Sequence, residues 1–292
     1  MPELPEVEAL VRFLDLKTSG LQLDRLELAS WSALKTVHPP LADLVGRKVQ
    51  HWQRRGKYLC LQTESAWLII HLARGGWLNW YDDLIPLPAR PTPGPLALRV
   101  GFAAPSRDGA APGLDLTEAG SEKRLSLWVA EDPVRIAAIA GLGADPLDPA
   151  FDAEALGRLL ETATGTVKSA LCDQSLLAGV GNAYSDEVLH GARLSPFQMA
   201  RTLSDGEVVQ LHAALRERLC QAVTARSGLA PDRLKIEKRR ALRVHGRTGS
   251  PCPACSDRIR EVSFATRSLQ YCPTCQTGGR HLADRRLSRL LK

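Results

Sequence analysis

Long hydrophobic runs are missing from this 292-residue chain: the longest wholly apolar stretches, such as Ala66 to Ile70, are five residues. A membrane-crossing helix needs roughly 18, so none is expected. The N-terminus lacks the basic-then-apolar pattern of a secretory signal, being acidic and proline-bearing from Pro2 to Glu8. A soluble, cytoplasmic chain is the expectation. Acidic residues are scarce toward the C-terminus. Residues 226–292 hold 5 Asp+Glu against 16 Lys+Arg, a net of +11, whereas residues 1–225 hold 27 against 22, a net of −5. So uneven a distribution points to a polyanionic partner for the basic third. Disulfide chemistry is not expected either. Cys60, Cys172 and Cys220 stand alone in apolar or helical surroundings and read as small buried hydrophobes in a reducing compartment. What is present is 44% apolar residues, enough core for one large domain or two ordinary ones.

The spacing of those apolar residues divides the chain in three. Residues 1–147 read as an antiparallel β-sandwich preceded by a helix. Val7, Leu10, Val11 and Leu14 form the helical stripe, with Pro5 near the start, where proline is tolerated. Alternation then takes over at Leu96, Leu98, Val100 and Phe102, and again at Leu125, Leu127 and Val129. Five prolines within 86–95 and a Gly-, Ala-, Ser- and Asp-rich stretch at 104–121 predict long surface loops. Residues 148–247 read as an all-helical module ending in a basic linker at 227–247. A helix starts at Asp148 or Asp152, and a second piece spans Thr166 to Ser175. Gly179-Val180-Gly181-Asn182 interrupts the pattern. Ser204-Asp205-Gly206-Glu207 forms a capping box ahead of a long helix through Leu211, Leu215, Leu219 and Val223. Residues 248–292 form a small metal module. The fold class is α+β.

The sharpest spacing is Cys252-x2-Cys255-x16-Cys272-x2-Cys275, which suits one tetrahedral zinc in a β-ribbon. Four thiolates leave no open coordination position, so the zinc is structural. Arg267 lies on the ribbon hairpin, where a basic tip suits phosphates. The first residues offer different chemistry. Removal of Met1 leaves Pro2 with a free secondary amine, partly unprotonated near neutrality. Such an amine attacks an aldehyde-like sugar carbon to give an iminium ion, and Glu3 beside it can move protons. The competing reading is a solvated, proline-stiffened terminus. Other signals have two readings each. Gly179-x-Gly181-Asn182 lets backbone approach a phosphate, or is only a helix–helix turn. Arg54-Arg55-Gly56-Lys57 is a basic turn that solvent alone can satisfy. His71 ends an apolar strand, where a half-buried histidine needs no ligand.

Taken together, these pieces resemble one family. Pro2-Glu3-Leu4-Pro5-Glu6-Val7-Glu8, Arg55-Gly56-Lys57-Tyr58, His71-Leu72, Asp173-Gln174 with Gly179-Val180-Gly181-Asn182-Ala183-Tyr184, and Cys252 to Gln276 occur in one order. The chain resembles, over nearly its whole length, the formamidopyrimidine-DNA glycosylase and endonuclease VIII family. The resemblance implies an N-terminal β-sandwich, a helix–two-turn–helix domain and a zinc finger, with damaged or abasic double-stranded DNA between the two halves. It implies a monomer associated with the nucleoid through that DNA. It also implies roles: Pro2 as Schiff-base nucleophile at C1′, Glu3 as general acid, Glu6 as support, and Lys57 with them at the catalytic site. Lys57, His71, Asn182 and Arg267 match positions that hold phosphates around the lesion. A flipped nucleotide needs its flanking phosphates pinched while its base leaves the stack. The iminium then permits β- and δ-elimination.

The resemblance breaks where the family fills the gap left by the flipped base. The strand ending His71-Leu72 usually continues Gly-Met, but here Ala73-Arg74 stand. In place of Asp-Pro-Arg-Arg-Phe-Gly stand Asp132-Pro133-Val134-Arg135-Ile136-Ala137. Arg74 and Arg135 are the cations left near the wedge. Ser227 to Arg240 lacks the Gly-Gly-Ser/Thr-rich loop that covers an oxidised purine. A bifunctional glycosylase/AP lyase is the leading expectation. A damage-binding protein on the same scaffold, non-cleaving or directed to abasic sites, is the alternative.

Overall fold

The structure, a computed structural model, describes residues 1–85, 94–104, 109–264 and 268–283. The prolines at 86–93 and Arg267 lie outside the described residues. The chain forms two compact units. The first comprises residues 1–141 and 226–235, the second residues 142–225 and 236–292.

In the first unit, α1 (Leu4–Thr18) starts at Glu3, the N-cap, with Pro5 in the first turn. Proline is harmless there because the first N–H groups of a helix have no intrahelical acceptor. The expected stripe, Val7, Leu10, Val11 and Leu14, is buried together with Leu4. The strands are β1 (Leu23–Leu28), β2 (Val49–Arg55), β3 (Tyr58–Thr63), β4 (Trp67–His71), β5 (Gly76–Tyr81), β6 (Leu96–Phe102), β7 (Gly113–Glu118) and β8 (Ser126–Ala130). They form two antiparallel sheets, ordered β1-β6-β7-β5 and β2-β3-β4-β8. Leu59, Leu61, Leu68 and Ile70 from one sheet share a single core with Leu98, Val100, Leu114 and Leu116 from the other and with the α1 stripe. This is the sandwich that the alternating apolar residues predict, with one correction: the 104–121 stretch expected as a surface loop contains β7, a buried strand between β6 and β5. After β8 comes a short helix, α2 (Ala137–Ala140).

The second unit begins with α3 (Ala153–Thr162), where Asp152 Oδ1 accepts from the Ala155 N–H at 2.8 Å. α4 (Val167–Cys172) and α5 (Asn182–Gly191) flank the glycine-bearing interruption. α6 (Asp205–Arg226) opens with the expected capping box: Glu207 Oε2 accepts from the Ser204 N–H at 2.8 Å. The segment read as a basic linker contains a further helix, α7 (Pro231–Ala241). Pro231 stands at its start, and Lys238, Arg239 and Arg240 in its last turn complement the helix dipole. Its sequence carries only Leu234, Ile236 and the terminal Ala241 as apolar side chains besides Pro231, so no stripe announces it. Leu234 is fully buried in the core of the first unit. At the end of the chain, β9 (Arg260–Ser263) and β10 (Ser268–Tyr271) pair antiparallel, followed by α8 (Pro273–Thr277).

Because Leu234 is what fastens α7 to that core, Leu234→Ala should destabilise the first unit by about 2–5 kcal/mol, the usual cost of truncating a buried leucine. Denaturant unfolding followed by tryptophan fluorescence measures it, since Trp52 and Trp77 lie in the same core.

Candidate active site

The head of α1 is held by burial and by a capping box. Met1 is 49% exposed, whereas Pro2 is buried and Glu3 and Glu6 are 3% and 1% exposed. A capping box ties them: Glu6 Oε2 accepts from the Glu3 N–H at 3.0 Å. Glu6 Oε1 lies 3.3 Å from Nε of Arg226, whose side chain is fully buried. Two residues along, Glu8 Oε2 accepts from Arg54 Nε at 2.8 Å, joining α1 to β2. Burial pushes the Glu8 carboxyl up, but the Arg54 and Arg12 hydrogen bonds and charges outweigh it and hold it below its ordinary range.

β2 and β3 are joined by a two-residue turn, Gly56-Lys57, with Arg55 paired to Tyr58. Gly56 has φ of +54°, a conformation open to glycine. The turn buries Lys57. Across the β3–β4 pair, Tyr58 faces His71 with ring centroids 4.8 Å apart. Burial, then the nearby Lys57 charge, pulls the His71 imidazole down to about 4, so it is neutral at physiological pH. Lys57 and His71 therefore share one neighbourhood.

Arg74 stands exposed at the tip of a tight turn after β4. The turn is closed by Gly76 N–H donating to Leu72 O at 2.9 Å and Ala119 N–H donating to Gly75 O at 3.1 Å. A Cβ on Gly76 would lie 2.1 Å from Leu72 O, and one on Gly75 2.4 Å from Ala119 O. No other residue fits either position. Val134 and Arg135 sit on a 3-10 turn, Pro133–Arg135, where Asp132 Oδ1 accepts from the Val134 N–H. Val134 is half exposed, and Arg135 is paired with Glu131 at 2.9 Å.

In the second unit, Gln174 staples the double turn between α4 and α5. Its Nε2 donates to Cys172 O and Val180 O, and its Oε1 accepts from the Gly179 N–H. Asn182, the first residue of α5, donates from Nδ2 to Ser268 O on β10 at 2.8 Å. Two buried carboxylates follow, which the sequence reading missed. Asp186 accepts from Lys168 at 2.6 Å, lies 2.7 Å from His245 Nδ1, and takes the Gln270 N–H. Glu187 accepts the N–H groups of Arg243, Val244 and His245. Adjacent acids on an otherwise buried helix were the available signal.

The four knuckle thiols converge, with every Sγ within 4.8 Å of the others. Cys252 and Cys275 are 3.8 Å apart, and Cys255 and Cys272 3.4 Å. Thiolates about 2.3 Å from a tetrahedral zinc lie about 3.8 Å apart, so the set fits one structural zinc. His190 Nε2 lies 3.2 Å from Cys252 Sγ, linking α5 to the first knuckle. Burial pushes the Cys275 thiol up to about 11, so a metal must displace its proton.

A β-sandwich with a buried, carboxylate-lined helix head, a helix–two-turn–helix unit and a four-cysteine finger define a class of DNA-repair protein, the base-removing glycosylases. The comparisons agree domain by domain. The formamidopyrimidine-DNA glycosylase N-terminal domain profile matches residues 1–109, the H2TH domain profile of the same enzymes matches 142–231, and a zinc finger found in FPG and IleRS matches 249–278. An uncharacterized formamidopyrimidine-DNA glycosylase-like protein of Mycobacterium tuberculosis is 55% identical over 52% of this chain and 94% of its own length. The formamidopyrimidine-DNA glycosylase of Desulforamulus reducens is 34% identical over 94% of this chain and 99% of its own. The Lactococcus lactis enzyme, in a crystal structure with DNA containing an AP site, superposes with a TM-score of 0.79 at 27% identity, covering 94% and 99% of the two chains. The chain belongs to the formamidopyrimidine-DNA glycosylase family of DNA glycosylase/AP lyase enzymes. Among the described residues no helix is long and apolar enough to cross a membrane.

Two outcomes test this geometry. Cys272→Ser should lower bound zinc from one per chain to none by metal analysis, while leaving the unfolding of the first unit unchanged. The depressed His71 pKa makes a stability contribution that is complete above about 6.5 and shrinks as pH falls toward about 4, because the unfolded histidine takes the proton first. His71→Asn should therefore flatten the fall in Tm across that window, read by thermal melts at stepped pH.

Proposed function

We propose that the chain is a bifunctional DNA glycosylase/AP lyase whose nucleophile is the Pro2 amine, freed by loss of Met1. One observation carries the reading: Pro2 and Glu3 are buried at a helix head held by Glu6, not solvated, while Met1 remains exposed to processing. The amine adds to C1′ as the damaged base departs, or condenses with an abasic aldehyde with loss of water. Glu3 supplies the proton that opens the deoxyribose ring. The iminium acidifies C2′–H. Its loss expels the 3′ phosphate, and a second proton loss expels the 5′ phosphate. Lys57, His71, Asn182 and Arg267 hold backbone phosphates, with His71 acting as a neutral donor. In this reading residues 1–147 carry the chemistry, residues 148–247 and 248–292 grip the duplex, and the protein works as a monomer. The crystal structure of the Lactococcus lactis relative bound to AP-site DNA supports the same substrate class here.

The wedge refines the substrate. Arg74 has a planar guanidinium on a rigid tip, able to stack on or hydrogen-bond to an orphaned base. Val134 and Ile136 are short and non-aromatic, and stack poorly between bases. An empty slot costs a few kcal/mol, so substrates that are already unpaired gain most. Borohydride trapping on a panel of duplexes tests the reading. Protein with free Pro2 should form a covalent complex with abasic DNA faster than with 8-oxoguanine opposite cytosine, and should discriminate weakly by opposite base. Protein with a tag ahead of Pro2 should not trap. Equal trapping by blocked protein rules out Pro2, and efficient, cytosine-selective excision of 8-oxoguanine rules out the wedge argument.

A further inference from the structure

We propose that Arg226 is a positioning residue for the reaction, fixing the Pro2–Glu3 pair through Glu6. The inference rests on Pro2 and Glu3 acting as proposed above. Arg226 is the largest of the fully buried side chains in the described residues. A buried guanidinium cannot shed its proton and demands an anion. Glu6, 1% exposed, supplies it at 3.3 Å. Such a pair is poor evidence of a stability role, because well-packed apolar residues of similar volume would serve as well or better. Its geometry shows what else it does. The Glu6 oxygen not facing Arg226 accepts the N–H of Glu3, the residue that follows Pro2. Arg226 thus fixes the orientation of the Glu6 carboxylate, and Glu6 in turn holds the backbone that carries both reacting groups.

The segment around Arg226 is itself locked. Residues 226–235 belong to the first unit. Leu229 and Leu234 pack on its core, and Lys235 Nζ lies 4.4 Å from the centroid of the Trp77 ring. A guanidinium on a fixed backbone is a pre-organised support of the kind that reacting groups need to within a fraction of an ångström. Displacement of about 1 Å at a reacting centre costs up to roughly a hundredfold in rate.

The test uses the full chain with Met1 removed, checked by N-terminal sequencing. Single-turnover trapping on abasic duplex gives a rate constant that does not depend on the folded fraction, and anisotropy with a duplex carrying a reduced abasic analogue gives Kd. Arg226→Met should lower the trapping rate constant at least about tenfold while Kd stays within about twofold. Arg226→Lys, which retains the charge, should recover part of the loss. Glu6→Gln combined with Arg226→Met should be no slower than the worse single variant, because the two act as one unit. Should Arg226→Met fail to fold, Arg226→Gln, neutral but polar, carries the same expectation. A wild-type rate constant in the neutral variants, or losses that multiply in the double variant, overturns the proposal. Retained trapping by protein blocked ahead of Pro2 would instead overturn the nucleophile assignment, whatever the Arg226 variants do.

Discussion

A carboxylate buried at the head of a helix is the constraint on which the first unit turns. Glu6 lies inside the protein, where an unpartnered carboxyl group is costly, and each of its oxygens is committed. One takes the Glu3 N–H and the other faces Arg226. That arrangement fixes the N-terminus, which would otherwise fray. It also sets a demand far along the chain, since residues 226–235 must lie with the first unit to bring Arg226 to Glu6. Leu234 buried in the core and Lys235 over Trp77 meet that demand. The Arg54–Glu8 pair repeats the device two residues later, tying α1 to the hairpin that buries Lys57.

What the sequence discloses follows from how local each constraint is. The zinc knuckles, the Ser204–Glu207 capping box, the α1 stripe and the Asp152 helix start all depend on residues a few positions apart, and all are legible. Arg226 is not. In a stretch of 16 basic residues it reads as one more solvated cation, and its partner is 220 positions away. α7 hides for a related reason: with Leu234 as its one fully buried leucine, its helicity depends on docking and not on a periodic face. The turn at Gly75-Gly76 is half legible. Two glycines announce a turn, but the need for both comes from Leu72 O and Ala119 O, one of them on a different strand's end.

The second unit answers the same electrostatic problem with more partners. Asp186 and Glu187 are adjacent, buried and fully engaged, one by a lysine, a histidine and a backbone N–H, the other by three consecutive backbone N–H groups. Carboxylates bound this way act as fasteners for segments that lack apolar area of their own. The ribbon needs them: its clusters are small, one around Val244, Cys252, Ile259 and Cys272 and the other around Val262, Leu269 and Tyr271. The metal supplies the covalent part of that module's stability, and α5 supplies the rest through Asn182, Asp186, Glu187 and His190.

The proposed chemistry and the proposed specificity rest on different physical footings in this chain. The head of α1 is locked by a buried ion pair, so substitutions there disturb that pair and propagate. The tip at Arg74 is locked by backbone alone: its shape depends on two glycines and two carbonyl contacts, and the Arg74 side chain is exposed. A side chain whose own atoms do not hold its turn can be exchanged without loosening the turn. The same holds for Val134, set on a 3-10 turn where the Asp132 side chain caps the Val134 backbone N–H and not its side chain. Under the proposed reading, side chains at Arg74 and Val134 can therefore be exchanged while the helix head held by Glu6 and Arg226 stays intact.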